Sequence, residues 1–116
     1  MSKLTTILHL KGVRYHSLHR NNRVWLDHCR LSFEKSASVK AHSTIGFDWG
    51  NRSPGTSQLA LAICLEIYPR AVALKVYRDF KINVLLPIRD DFFEITLNLA
   101  AFNEVFVQPM VAEFAS

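Results

Sequence analysis

The sequence predicts a single-domain α+β protein, in which a small antiparallel N-terminal β-hairpin or sheet packs on an antiparallel helix pair, followed by a short strand and a C-terminal helix. Three observations carry that expectation. Apolar and polar side chains alternate through residues 6–31 with the period of a half-buried strand. Residues 59–86 form two stretches of helical length parted by Tyr68-Pro69, and residues 92–96 (FFEIT) are aromatic and β-branched. A length of 116 residues suits one domain spanning 1–116, and 49% hydrophobic residues, including eight Phe, three Tyr and two Trp, supply a core without disulfides or a structural metal. Chains of this size bury about two-thirds of their unfolded surface.

Taken in order, Leu8 and Leu10 alternate with His9 and Lys11 as in a strand, and Gly12 is expected to mark a bulge or sharp bend. Segments 14–20 and 24–31 read as hairpin strands around His19-Arg20-Asn21-Asn22-Arg23, because paired Asn residues tolerate the positive φ of a tight turn. Residues 34–44 are small and polar and read as a loop. Residues 45–58 are also loop-like, yet they carry Phe47 and Trp49, which are expected to pin the loop onto the core. Residues 59–68 (LALAICLEIY) are apolar on nearly every side, the mark of a helix buried on several faces. Ser53 or Thr56 can cap its start, and Pro54 suits its first turn.

The second helix runs from about 69 to 86, with Ala73, Tyr77, Phe80 and Val84 on its apolar face and Pro87 as its stop. Residues 92–96 then form a strand, and 97–107 a helix capped by Thr96 and closed before Pro109. A strand reaching Leu99 is the rival, because Phe93, Ile95, Leu97 and Leu99 also alternate.

Charge is unevenly spread. The net charge is +4, but residues 1–40 carry eight Lys or Arg against Asp27 and Glu34, whereas the remainder is acidic on balance. A basic end suits an acidic partner, nucleic acid included. No apolar run approaches the roughly 20 residues needed to cross a bilayer. The first residues pass into alternation rather than into the apolar core of a secretory signal. Cys29 and Cys64 read as reduced core residues in a strand and a helix. These features predict a cytoplasmic protein that does not use a membrane.

Phe47-Asp48-Trp49-Gly50, then seven residues, then Gln58-Leu59-Ala60-Leu61-Ala62-Ile63 resembles the F-x-W-G-Y-G-G-S-G-P-A-Q-L-A-L-A-I signature of a small uncharacterised prokaryotic family, a domain of unknown function. Tyr77, Phe80, Lys81 and Val84 fit that family's Y-x-x-F-K-x-x-V helix, Gly12-Val13-Arg14 its G-x-R, and residues 93–96 its W-x-L-T strand. The resemblance covers roughly residues 10–105. It implies a shared fold and a cytoplasmic, prokaryotic origin, and it implies no reaction. The chain departs from the pattern at Asn51-Arg52-Ser53-Pro54-Gly55-Thr56-Ser57, where only Gly55 keeps its place among the glycines.

Two candidate sites emerge. The loop entering the buried helix offers Trp49, Arg52, Gly55, Thr56, Ser57 and Gln58 to a small anion or nucleotide, since free amides and the positive dipole end of a helix favour an anion. It lacks the lysine of a phosphate-binding P-loop. The basic hairpin offers Arg14, Arg20, Arg23 and Arg30 to phosphates, with Tyr15 or Trp25 to stack on a base. A metal centre at His9, His16, His19, His28 and Cys29 is not expected, because strand alternation sends neighbouring side chains to opposite faces. No cofactor or nucleophile motif is present. The sequence therefore predicts a non-enzymatic binding or accessory protein with a protein or nucleic-acid partner. The alternative is an anion- or nucleotide-binding protein, enzymatic or not, using residues 48–58.

Overall fold

The computed structural model describes residues 6–16 and 21–115, with side chains to residue 111. Four antiparallel strands form one sheet in the order β3-β2-β1-β4. β1 is Ile7–Val13, β2 Arg23–Leu26, β3 Cys29–Arg30 and β4 Phe92–Asn98. β1 lies between β2 and β4, pairing Lys11 with Trp25 on one side and with Glu94 on the other. Leu8, Leu10, Val24, Leu26 and Phe93 point inward and are buried. Against them lie α2 (Pro54–Ile67) and α3 (Arg70–Phe80), joined across Tyr68-Pro69.

α2 is buried along nearly all of its length, from Gly55 to Cys64, as a helix apolar on every side must be. α3 is amphipathic instead. It buries Val72, Ala73, Val76, Tyr77 and Phe80 and turns Arg70, Lys75 and Arg78 outward. It runs on through a wide π turn, Lys81–Leu85, in which Val84 is half-buried, and ends before Pro87. After β4 the chain forms α4 (Ala100–Phe102), a second π turn (Asn103–Val107) and α5 (Gln108–Ala115). The Tyr68 hydroxyl ties this last segment to α2 by donating to the Asn103 side chain.

Several local expectations are corrected. β1 and β2 pair antiparallel as expected, but a second, tight turn lies at Asp27-His28 (φ 48° and 70°), so that the stretch predicted as one strand folds back into β2 and β3. Asp27 suits the place because its backbone N–H donates to the His9 carbonyl while its carboxylate accepts the His9 N–H. Asn22 is a bracket instead, accepting the Tyr15 N–H and donating to the Phe47 carbonyl. The tip expected at His19-Arg20 lies outside the described residues.

Gly12 holds regular register with both neighbours, with no bulge; a Cβ there would meet the Phe93 ring at 2.3 Å. Residues expected as loop form α1 (Phe33–Val39), capped by the Ser32 hydroxyl, which accepts the Lys35 N–H. β4 continues past Thr96 to Asn98, whose side chain accepts the Ala100 N–H at the start of α4. Pro109 does not close the final helix. The Gln108 N–H bonds back to the Asn103 carbonyl in a wide turn just ahead of it, and such turns accommodate the missing donor.

Neither cysteine is bridged, but only Cys64 is a core residue; Cys29 is exposed on the short edge strand β3. Burial also raises the Cys64 pKa well above its ordinary value. A colorimetric thiol reagent is therefore expected to label Cys29 at once and Cys64 only on unfolding. Prompt labelling of both thiols in native protein would contradict the burial of α2.

Candidate functional site

The segment from Gly46 to Gln58 is anchored to the core at both ends, while Asn51, Arg52 and Pro54 between them are exposed. Phe47 and Trp49 are buried, and the Trp49 indole N–H donates to the Asp90 carbonyl at 2.9 Å. Its ring meets Phe93 edge-to-face at 5.0 Å. Gly50 is required next in the chain, since its φ of 74° favours glycine and a Cβ would lie 2.3 Å from the Ile88 carbonyl.

Asp48 alternates with the two aromatics and turns the other way, as strand-like spacing demands. Its carboxylate accepts the Trp49 N–H and an Asn51 amide N–H. It also accepts two bonds from the Arg14 guanidinium, which reaches the Trp49 carbonyl and Asp91 as well. Arg14 covers the Trp49 ring at 4.7 Å. Burial alone would lower the Arg14 pKa, but its hydrogen bonds to Asp91 and Asp48 outweigh that and raise it. Asp91 is held below its ordinary value by His16 and then by Arg14. Arg14 is thus a brace between the start of the loop and the start of β4, and its guanidinium is engaged there rather than offered to phosphate.

The helix start is similarly self-contained. Ser53 is the N-cap, and its carbonyl receives the Thr56 and Ser57 amides at 3.1 and 3.4 Å. Its own N–H donates to Asn51, which also accepts the Thr56 hydroxyl. Gly55 packs closely against Asp48: a Cβ would lie 3.0 Å from both the Asp48 Cβ and the Gly46 carbonyl, so a side chain there would need its neighbours to give. Gln58 is fully buried. Its amide donates to the Ser36 hydroxyl and the Lys40 carbonyl and accepts from the His42 and Ser43 amides, clamping α1 and the following loop to α2. Ser57 accepts from the Lys81 ammonium at 2.9 Å, and Arg52 is exposed. A cleft of about 640 Å³ does open beside this turn, lined in part by Tyr15, His42, Asp48 and Pro54. The geometry of Trp49, Gly55, Thr56 and Gln58 is that of a structural cap with an aromatic anchor.

The outer face of the sheet is arranged differently. Alternation places Lys11, Arg23, Trp25, Arg30 and Phe92 on the side away from the helices, where they are half-buried or exposed. The Lys11 ammonium lies 5.5 Å from the centre of the Trp25 ring and 5.9 Å from that of Phe92, which is 56% exposed. Arg23 sits over Tyr15 at 5.8 Å. Glu94 places a carboxylate on this face, opposite Lys11 in register and 3.1 Å from His9. Of the four arginines singled out from the sequence, Arg23 and Arg30 therefore lie on this face, Arg14 is braced elsewhere, and Arg20 lies outside the described residues. Lys11 and Phe92 were missed. The alternation of β4 could have found Phe92, because it shares a face with Glu94 and Thr96.

Among the described residues no group of three or more His, Cys, Asp or Glu side chains could hold a metal ion, and no helix is long and apolar enough to cross a membrane. Fold and surface together define a small α+β domain with helices on one face of a four-stranded antiparallel sheet, the other face being left open by the described residues. The chain belongs to DUF6166, a family of unknown function, whose model matches residues 10–113. No curated protein and no solved structure matches it.

Proposed function

We infer that this chain is a non-enzymatic binding protein that holds single-stranded nucleic acid on the outer face of its sheet. The observation that carries the reading is Lys11 set between the Trp25 and Phe92 rings on a face the helices leave open. Aromatic rings on such a surface stack bases at about 1–3 kcal/mol per base, with little regard to sequence. Lys11, Arg23 and Arg30 supply phosphate contacts around them. A duplex fits less well, since its bases are already stacked on one another. A prokaryotic, cytoplasmic setting accords with this partner and with two unbridged cysteines.

Trp25 is the natural reporter, because Trp49 is fully buried. Titration with a short oligothymidylate at low salt is expected to quench Trp25 fluorescence, with affinity falling steeply as salt is added. Replacing Lys11 and Arg23 together by alanine should flatten the slope of log affinity against log salt by about 0.7 per lost phosphate contact. Absence of any quenching or mobility shift at low salt, with both DNA and RNA, would overturn the reading.

A further inference from the structure

The two ends of the sheet are built differently. β3 closes one end with two residues, one of them Arg30, and so short and charged a strand gives a second chain little to pair with. β4 closes the other with seven residues, FFEITLN, in unbroken register with β1 and without Lys, Arg, Pro or a bulge. Natural proteins usually guard an edge of that length and composition.

The register also shows which backbone groups face outward. The Arg14 N–H donates to the Asp91 carbonyl and the Leu99 N–H to the Thr6 carbonyl. Phe93, Ile95 and Leu97 therefore direct their backbone groups to β1, and Phe92, Glu94, Thr96 and Asn98 direct theirs away from it. On the inner side, half-buried Ile95 and Leu97 line an apolar groove of about 730 Å³, walled by the two π turns through Val84 and Val105. Val105 is 63% exposed.

We propose that β4 pairs antiparallel with β4 of a second copy, making one sheet continuous across the dimer. The register centred on Ile95 satisfies every outward-facing residue. It sets Phe92 against the partner's Asn98 and Glu94 against the partner's Thr96. On the inner side it sets Ile95 against the partner's Ile95 and Phe93 against the partner's Leu97. Centring the pair on Glu94 would oppose two carboxylates, which is unfavourable. Centring it on Thr96 would leave Phe92 with no strand residue opposite. The strand thus meets its own copy about one two-fold axis with no like charges directly opposed and every outward-facing residue paired, as an isologous interface requires.

Thr96 is exposed and tests this register without touching the core. Sedimentation velocity at micromolar concentrations is expected to show a dimer. Thr96→Lys places an ammonium opposite the partner's Glu94, twice by symmetry, and should tighten the dimer roughly tenfold, while Thr96→Glu should weaken it by a similar factor. Thr96→Pro removes an outward-facing N–H and should yield a monomer that is still folded by circular dichroism. A monomeric wild-type protein, or a dimer indifferent to all three changes, would overturn the proposal. The readout is mass rather than nucleic-acid affinity, so this inference and the binding reading stand or fall separately.

Discussion

Trp49→Ala is expected to cost roughly 3–5 kcal/mol, the range for emptying a large aromatic site in a core. Trp49 is fully buried, and its contacts are spread over distant parts of the chain: the Phe93 ring in β4, the Asp90 carbonyl before it, and the Arg14 guanidinium after β1. Truncation opens a cavity and also leaves the Asp90 carbonyl without its donor. Trp49→Phe should recover part of the packing while still losing that hydrogen bond, which is worth about 1 kcal/mol. Urea midpoints of the two variants separate the contributions. A loss below about 1 kcal/mol for Trp49→Ala would show that the ring is not seated in a close-packed core.

The elements that were legible are those in which one residue's chemistry decides its neighbourhood. α2 could be read because LALAIC has no polar face to offer water. The end of the second helix could be read because Pro87 cannot continue one. α1 could not, since EKSASV is small and polar, and what holds it is the Ser32 cap together with Gln58, a partner more than a helix away in sequence. Gly12 was legible as a special position but not in its reason, because the Phe93 ring that needs the space comes from the far end of the chain. The hairpin joining β1 to β2 was legible in the Asn21-Asn22 signal, whereas the second turn at Asp27-His28 was not, because it is selected by a cross-strand bond to His9.

The candidate sites divide in the same way. Loop residues rich in hydroxyls and amides suggest a ligand when read alone, yet here Asn51, Ser53, Thr56 and Gln58 satisfy one another and the backbone around them. The open sheet face is a product of register, and register brings Lys11 between Trp25 and Phe92 from three separate strands. Composition located the basic end; pairing decided which of its cations share a surface.

Arg14→Lys is expected to destabilise the protein by about 2–3 kcal/mol although it conserves charge, because hydrogen bonds to charged groups are worth about 1.5–3 kcal/mol and the site is only partly buried. The guanidinium directs Nε and Nη2 to Asp48, Nη2 also to the Trp49 carbonyl, and Nη1 to Asp91 at 2.7 Å. An ammonium has no fixed fork and cannot span those acceptors while lying over the indole ring. Side-chain exposures of 17% for Arg14 and 28% for Asp48 keep the loss below that of a fully buried pair. The same change distinguishes a brace from a phosphate contact. Because Arg14 is engaged with Asp48, Asp91 and the Trp49 carbonyl and lies off the open sheet face, affinity for an oligonucleotide should hold while the urea midpoint falls. Unchanged stability together with weakened binding would instead return Arg14 to the nucleic-acid surface.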